Sequence, residues 1–312
     1  MIEKIYPKKL RIESSSECQL NCRCCENGRR GEYKSIKRGF LRVDDFSRVI
    51  EENRNLHSIE LSNYGEVFLN PFIEEIVEIA GKRKVRLTAT NGSNLNYLPD
   101  SLIEKLVLYQ FEKITCSIDG ASEETYKKYR VGGNYNKVIN NIRKINACKE
   151  RFGTRYPELR WQFIVFGHNE HEIPRAREMA DELDMLFFVK YSWDKRFSPI
   201  RNEEKVRRDI LYYTTPEFLS LNDMEGKNNI CSQLWDEPQI NWNGSVLGCC
   251  VNHWGEFDGN VFDDGLERCL NSEKMNYARL MLQGLIRTRH DIPCAKCNIY
   301  KNRKKKREWL RR

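Results

Sequence analysis

Three cysteines near the N-terminus, Cys18, Cys22 and Cys25, have the spacing Cys-x3-Cys-x2-Cys and are well suited to bind a metal centre. Thiolates are soft ligands for zinc and for iron-sulfur clusters. Structural zinc and electron-transfer clusters normally take four protein ligands, whereas a reactive centre keeps one position open. Three thiols therefore favour a reactive centre, although the spacing alone is also compatible with structural zinc or with a disulfide.

A second set of cysteines lies in the C-terminal quarter of the chain. Cys231 is followed by Cys249 and then, after a long gap, by the pair Cys294-Ala-Lys-Cys297. A Cys-x2-Cys pair is a common element of both zinc and iron-sulfur sites. Four thiols are enough to close a site, so we expect a structural or electron-transferring centre here.

The bulk composition is that of a globular protein, with 312 residues, 40% of them hydrophobic and 11% aromatic. The first residues, MIEKIYPKKL, lack the apolar stretch of a secretory signal, and the longest purely apolar run, Met185–Val189, is too short to span a bilayer. Twelve cysteines without an export signal indicate thiols kept reduced for metal binding or catalysis. We therefore expect a cytoplasmic protein that does not insert into membranes.

The net charge of +8 is concentrated at the C-terminus. Residues 301–312 carry +7 of it, with eight Lys or Arg and one Glu. Such a tail can bind a nucleic acid or an acidic partner, but a solvated helical turn that aids solubility is the favoured interpretation, and we do not expect a nucleic-acid partner.

The segments that must position these residues alternate between β-branched runs and amphipathic stretches from residue 9 to about 190, which predicts parallel β/α units. The predicted strands are Leu10–Glu13, Ser58–Ser62, Val85–Thr90, Lys113–Ile118, Arg160–Phe166 and Leu186–Lys190. The predicted helices between them are Asp44–Asn53, Pro71–Lys82, Pro99–Tyr109, Tyr135–Arg151 and Glu172–Leu183. Residues 191–230 break the alternation and are predicted to be a connector.

Polar motifs follow the predicted strands at regular positions. Gly65-Glu66 follows the second strand, and Asn91-Gly92, a dipeptide typical of turns, follows the third. The fourth strand ends in Ser117-Ile-Asp119-Gly, and Arg130 closes the helical segment after it. Because reacting groups gather at the C-terminal ends of strands in a parallel barrel, we expect these residues to meet the first cysteine loop.

Taken together, the cysteine loop, Gly65-Glu66, Thr-Asn-Gly at 90–92 and the Ser117-to-Arg130 segment resemble the radical S-adenosylmethionine (SAM) superfamily. The resemblance implies an α/β fold, a partial (β/α)6 TIM-like barrel over residues 1–190. It also implies that Cys18, Cys22 and Cys25 hold a 4Fe-4S cluster whose fourth iron binds SAM. One residue departs from the family pattern, because Cys24 stands where an aromatic side chain is usual.

The same resemblance assigns SAM contacts to the strand-end residues. Glu66 would accept hydrogen bonds from the SAM ammonium, and Arg130 would pair with the SAM carboxylate. Ser117 and Asp119 would face the ribose and methionine moieties, and Asn91 would also bind the cofactor.

The second cysteine set resembles the SPASM/twitch extension of radical SAM enzymes. The resemblance implies a small domain at 231–300, in which Cys231, Cys249, Cys294 and Cys297 hold one auxiliary 4Fe-4S cluster. The basic tail at 301–312 follows this domain. The shorter twitch form is expected because four well-spaced thiols close only one such site. The cysteine intervals are similar to those of aminocyclitol dehydrogenases.

We therefore expect a radical SAM enzyme that oxidises a small polar substrate, such as a sugar or aminocyclitol, with the auxiliary cluster as electron acceptor. An external donor such as flavodoxin or ferredoxin would supply the first electron. Three alternatives stay open: an epimerase that uses Cys250 as hydrogen donor, a peptide maturase, and a zinc-bearing nucleic-acid-binding protein. No separate peptide-binding appendage is visible at either end of the sequence, which disfavours the maturase.

Overall fold

The structure, a computed structural model, describes residues 4–25, 27, 37–222 and 230–311. Residues 1–3, 26, 28–36 and 223–229, which belong to the predicted barrel and connector, and residue 312 of the predicted tail lie outside the described residues. The strands are β1 Lys9–Ile12, β2 Ser58–Glu60, β3 Arg86–Ser93, β4 Lys113–Ser117, β5 Glu158–Val165, β6 Leu186–Tyr191, β7 Gln239–Ile240 and β8 Val246–Gly248.

The helices of the described residues alternate with the first six strands and then form the C-terminal part. The first seven are α1 Val43–Glu52, α2 Ile73–Lys82, α3 Asp100–Leu108, α4 Glu123–Tyr129, α5 Tyr135–Phe152, α6 Ile173–Glu182 and α7 Glu203–Tyr213. The remaining five are α8 Gln233–Asp236, α9 Val261–Asp264, α10 Leu266–Leu270, α11 Glu273–Leu282 and α12 Asn298–Lys306. Short 3-10 turns lie at Val67–Leu69, Glu170–Glu172, Pro216–Asn222 and Pro293–Lys296.

One sheet holds all eight of these strands, in the order β6-β5-β4-β3-β2-β1-β7-β8. Strands β1 to β6 are parallel to their neighbours, as β/α units require. The predicted β/α architecture is confirmed, because each of these strands overlaps its predicted segment. No helix in the described part of the chain is long and apolar enough to cross a membrane.

Strand β3 runs further than predicted and passes through Asn91-Gly92 instead of turning there. The pairing register between β3 and β4 shifts between Ala89 and Ser93, which marks a bulge. Gly92 adopts a φ of +119°, and a Cβ at this position would lie 2.6 Å from the Ser117 hydroxyl oxygen. The glycine therefore allows the bulge and the close contact with β4. The prediction of a turn at Asn91-Gly92 is wrong, because both residues belong to β3.

The two faces of the parallel strands carry different residues, although both are buried. On β1, Leu10 and Ile12 belong to the apolar core that packs against the helices, whereas Arg11 lies on the other face. On β4, Ile114 and Cys116 alternate in the same way with Thr115 and Ser117. The face turned away from the helices is therefore a buried polar surface inside the curved sheet.

The C-terminal part is joined directly to this sheet. Strand β7 pairs in parallel with β1, where Arg11 is opposite Gln239, and β8 pairs antiparallel with β7. Cys249 directly follows β8, so the second cysteine set is attached to an extension of the barrel sheet through this residue. The predicted connector contains α7, which packs against α6 and β6.

Candidate active site

The first cysteine loop leaves the C-terminal end of β1 and is tied to the last residue of α4 and to the segment after it. The backbone N–H of Asn21 donates to the Val131 carbonyl at 2.9 Å, and that of Arg23 donates to the Tyr129 carbonyl at 3.2 Å. Within the loop, the Cys25 N–H donates to the Cys22 carbonyl at 3.1 Å, which forms a turn. These bonds fix the loop over the fourth β/α unit, where the sequence places Arg130.

The three predicted cluster ligands lie close enough to influence one another. Burial raises the pKa of Cys18, and the neighbouring Glu66, Cys22 and Cys25 raise it further. Burial also raises the pKa of Cys22, against the influence of Arg130. A buried group of thiols disfavours thiolates unless positive charge is added, and a cluster of iron ions supplies such charge. The triplet therefore fits the iron-sulfur cluster that the sequence predicts.

Arg130 lies between the first cysteine loop and a buried carboxylate. Its Nε donates to Asp119 Oδ2 at 2.5 Å, and its Nη1 contacts the Cys22 sulfur at 3.7 Å. Although burial opposes the charge, Asp119 and Cys22 hold the pKa of Arg130 well above its usual range. A permanently charged guanidinium thus stands beside the predicted cluster, where it can bind an anionic group.

Glu66 is buried at the end of a loop that approaches the first cysteine loop closely. Its Oε1 accepts a hydrogen bond from the Ser93 hydroxyl at 2.5 Å, and its Oε2 accepts one from the Asn94 N–H at 2.6 Å. Burial raises the pKa of Glu66, and these hydrogen bonds work against that rise. A Cβ at Gly65 would lie 2.1 Å from the Ser15 carbonyl oxygen, so only glycine permits this approach.

The remaining predicted SAM contacts, Ser117 and Asn91, lie in different surroundings. Ser117 is buried on the polar face of β4, opposite Gln162 of β5. Asn91 is exposed, and its Nδ2 donates to Asn63 Oδ1 at 3.0 Å. Asn63 in turn donates to the Cys250 carbonyl at 3.2 Å. The contacts of Asn91 thus lead towards the C-terminal part and not towards the first cysteine loop.

Cys24, the departure from the family pattern, is buried in a small apolar cluster. It packs there with Leu20, Tyr129 and Phe166, and the partly buried Phe197 packs against the same cluster. The aromatic surface that the cysteine loop lacks at this position is therefore present on neighbouring segments.

The second cysteine set surrounds one cavity. Cys231, Cys249, Cys294 and Cys297 all line it, and its other walls are mostly apolar, including Leu234, Leu247, Trp254 and Leu282. Burial raises the pKa of Cys249, and the nearby Cys294, Cys250 and Cys231 thiols raise it further. In a 4Fe-4S cluster each iron takes its own cysteine, so four thiols around one apolar cavity fit the predicted auxiliary cluster. Among the described residues, no three His, Cys, Asp or Glu side chains are grouped as they would be around a single metal ion.

Cys250 does not line this cavity but lies near the polar interior of the sheet. Its N–H donates to Gln233 Oε1 at 2.8 Å. Burial acts to lower the pKa of Arg11, but the nearby Glu60, Cys250 and Glu237 outweigh this effect and raise the pKa above its usual value. The Cys250 thiol is thus within electrostatic reach of a strand residue of the barrel. The other cysteines outside the two sets, Cys116, Cys148 and Cys269, are buried in the apolar core.

The sequence predictions missed a group of buried titratable residues on the polar face, formed by Arg11, Glu13 and Glu60. Burial raises the pKa of Glu13 to about 8, even though the N–H groups of Gly65 and Tyr64 donate to its carboxylate. Burial also acts to raise the pKa of Glu60, but Arg11 and the hydroxyls of Ser62, Thr90 and Thr88 hold it below its usual value. The signal was the alternation of charged and apolar residues in Leu10-Arg-Ile-Glu13, which a purely apolar barrel core would not show.

Two family profiles match the chain. One, described as the radical SAM superfamily, covers residues 12–180, which contain the first cysteine loop. The other, described as an iron-sulfur cluster-binding domain (SPASM), covers residues 231–298 and contains the second set.

Curated relatives match mainly over the barrel. The AdoMet-dependent heme synthase of Methanosarcina barkeri is 27% identical over 58% of this chain and 49% of its own length. A probable GTP 3',8-cyclase of Methanocaldococcus jannaschii is 24% identical over 65% of this chain and 67% of its own length. The chain thus spans about half the length of the first of these relatives.

Solved structures match over nearly the whole chain. Streptococcus suis SuiB bound to S-adenosylmethionine has a TM-score of 0.67 and 16% identity, with 95% of this chain and 72% of SuiB covered. BtrN in complex with AdoMet and 2-DOIA has a TM-score of 0.53 and 14% identity, with 96% of this chain and 94% of BtrN covered. The protein anSMEcpe with bound AdoMet and a peptide has a TM-score of 0.63 and 16% identity, with 95% of this chain and 87% of anSMEcpe covered. At these identities the likeness establishes the fold.

Proposed function

The chain belongs to the radical SAM superfamily and carries a SPASM-type iron-sulfur domain, and from this we propose that it oxidises a small polar substrate, such as a sugar or aminocyclitol. A secondary alcohol of the substrate would become a ketone. Cys18, Cys22 and Cys25 would hold the SAM-binding cluster, and Cys231, Cys249, Cys294 and Cys297 the auxiliary one. When bound, these groups supply a 5'-deoxyadenosyl radical for hydrogen abstraction and an acceptor for the second electron.

The observation that carries the proposal is the cavity with four thiols on an extension of the barrel sheet. Strand β7 pairs with β1, and the Asn63 side chain donates to the carbonyl of Cys250, beside Cys249. The Tyr64 hydroxyl adds a second bond to this region, with the Asn252 carbonyl at 2.9 Å. An electron acceptor held there is fixed relative to the strand ends where the substrate is expected, as an oxidation requires.

The chain's own residues would bind and orient the substrate on the polar face of the sheet. Lys190 donates to Gln162 Oε1 at 3.2 Å, next to Ser117 across the β4–β5 pair. Such donors and acceptors suit a polyhydroxylated substrate, which needs several hydrogen bonds to replace those it makes with water. Arg130 and Glu66 would hold SAM, and the apolar surroundings of the cysteine loop would exclude water.

The test is an assay of the anaerobically reconstituted enzyme with SAM, dithionite and a panel of sugars and aminocyclitols. The proposal predicts one ketone product for each 5'-deoxyadenosine formed in the presence of the right substrate. A product that differs from the substrate only in configuration at one carbon would contradict it.

An epimerase is the second candidate, favoured by the position of Cys250 near Arg11 and outside the cluster cavity. In that reaction the thiol would give a hydrogen atom to the substrate radical from the opposite face, and one proton and one electron from the external donor would restore the thiol. Cys250→Ala would then stop turnover, whereas a dehydrogenase would retain most of its activity.

A peptide maturase is the third candidate, favoured by two of the similar structures. SuiB has been solved with the precursor peptide SuiA and anSMEcpe with a Cp18Cys peptide. Peptide modification by this chain would appear as a mass change in a peptide substrate that depends on SAM. The same assay without any sugar distinguishes it from the proposed oxidation.

A further inference from the structure

The basic C-terminal segment is an ordered helix attached to the second cysteine set. Helix α12 begins immediately after Cys297, and the Lys301 N–H donates to the Cys297 carbonyl at 3.0 Å. Tyr300 of this helix lines the cavity with the four thiols, and Arg303 is buried. Beyond the helix, Leu310 returns to the core, with its N–H donating to the Leu282 carbonyl at 3.1 Å. The backbone that carries the positive charges of the segment is thus held beside the predicted auxiliary cluster.

The exposed basic residues of α12, together with Arg307 directly after the helix, form a basic helix surface, which we define as Lys301, Lys304, Lys305, Lys306 and Arg307. Lys301 and Lys305 are four residues apart and therefore project from one side of the helix, away from Tyr300 and Arg303. Glu308 is the acidic residue within this segment, and it lies 3.8 Å from Lys306. The surface therefore keeps a clear excess of positive charge.

A second basic surface lies beside the first cysteine loop, but its charges are largely compensated. It is formed by Arg23, Lys127 and Lys128. Lys127 pairs with Glu123, and Lys128 pairs with Glu124, each within α4. Of these two surfaces, the basic helix surface of α12 is therefore the better site for a negatively charged partner.

We propose that the basic helix surface docks an acidic one-electron redox protein of the flavodoxin or ferredoxin class, which removes the electron from the auxiliary cluster. This inference rests on the proposed oxidation. In that reaction the alcohol loses two electrons and two hydrogens: one hydrogen atom goes to the 5'-deoxyadenosyl radical, and the other leaves as a proton. The remaining electron would pass to the auxiliary cluster that Cys231, Cys249, Cys294 and Cys297 would hold, and the docked carrier would take up that one electron.

Two observations favour a protein over a nucleic acid as the occupant. The aromatic residues of the segment, Tyr300 and Trp309, pack inwards against the core and offer no exposed platform for stacking bases. The surface also begins at a predicted cluster ligand, where an electron carrier gains from close approach and a nucleic acid does not.

The experiment measures binding of an acidic, low-potential flavodoxin to the reconstituted protein at low and at high salt. The double variant Lys301→Glu/Lys305→Glu should bind about tenfold or more weakly than the wild type and lose most of the salt dependence. The control Lys137→Glu/Arg143→Glu reverses two exposed charges on α5 and should leave the affinity unchanged. The milder Lys301→Ala/Lys305→Ala variant, with wild-type iron content, should show the same trend if the double reversal fails to fold.

Unchanged affinity in folded α12 variants would overturn the proposal, as would binding of a short RNA duplex in preference to flavodoxin by the same surface. Dithionite-driven ketone formation is measured in parallel without flavodoxin. Loss of flavodoxin binding with intact ketone formation supports the docking surface, whereas failure to form any ketone contradicts the proposed oxidation and leaves the binding result standing.

Discussion

Arg130 contacts the sulfur of Cys22, a predicted cluster ligand, while it forms an ion pair with the fully buried Asp119. The guanidinium therefore links the cysteine loop to the end of β4. Positive charge beside a thiolate stabilises it, and the planar fork of arginine can serve two partners at once.

Replacing Arg130 by Met should destabilise the protein by about 3–5 kcal/mol, because the carboxylate of Asp119 stays buried without its partner. Arg130→Lys should cost less, since it keeps the charge. The measurement is anaerobic chemical unfolding. Arg83→Met is the control, because Arg83 pairs with Glu51 on the surface and should contribute less than about 1 kcal/mol. Equal effects of the two Met substitutions would contradict the buried ion pair.

Glu66→Gln should weaken SAM binding by about tenfold to a hundredfold, as expected when one charge-assisted hydrogen bond to the ammonium is lost. The Gln side chain keeps the size of Glu66: its oxygen can accept from the Asn94 N–H, and its NH2 group can donate to the Ser93 hydroxyl once that hydroxyl turns. Equilibrium binding of SAM to the reconstituted protein measures the effect, and Glu75→Gln on the exposed side of α2 is the control. Unchanged affinity in Glu66→Gln would remove Glu66 from the SAM site.

Glu13 should make stability fall as the pH rises. Its pKa is about 8 in the folded protein, whereas the ordinary value is 4.5. Burial and the neighbouring Glu60 raise the pKa, and together they outweigh Arg11, which lowers it. Between these values the unfolded chain releases a proton that the folded protein retains, so the unfolding free energy decreases by up to about 1.4 kcal/mol per pH unit. Below 4.5 and above 8 this contribution is constant.

Glu13→Gln should lack this decline, which unfolding midpoints at several pH values between 5 and 8 would reveal. Other titrating groups contribute equally to both proteins, so the difference between them isolates Glu13. Parallel pH profiles of the two proteins would contradict the raised pKa.

Removal of one thiol from the second set should separate SAM cleavage from product formation. In Cys294→Ala we expect the iron content to fall from about eight to about four atoms per chain, because one of two 4Fe-4S clusters is lost. Reductive SAM cleavage should continue, whereas ketone formation should stop. Cys148→Ala, which removes a thiol from the apolar core, should keep about eight irons. A full iron content in Cys294→Ala would exclude Cys294 as a ligand.

The sequence predicted the barrel well because each β/α unit combines a short β-branched run with an amphipathic helix, and both patterns are local. The relation between the two cysteine sets could not be predicted, since the pairing of β1 with β7 joins residues more than 200 positions apart. The bulge at Gly92 was missed because the dipeptide Asn-Gly by itself favours a turn. The pairing with β4, which keeps this segment in the strand, is not visible in the local sequence. The predicted roles of Asn91 and the other SAM contacts, and the domain boundaries, stay predictions.

The central claim is that the first cysteine triplet holds a cluster that cleaves SAM. The direct measurement is iron content and 5'-deoxyadenosine formation by the anaerobically reconstituted protein with SAM and dithionite, compared with Cys22→Ala. We predict a brown wild-type protein with about eight irons that forms 5'-deoxyadenosine, and no formation by the variant. A colourless, zinc-loaded wild-type protein that leaves SAM intact would contradict this account.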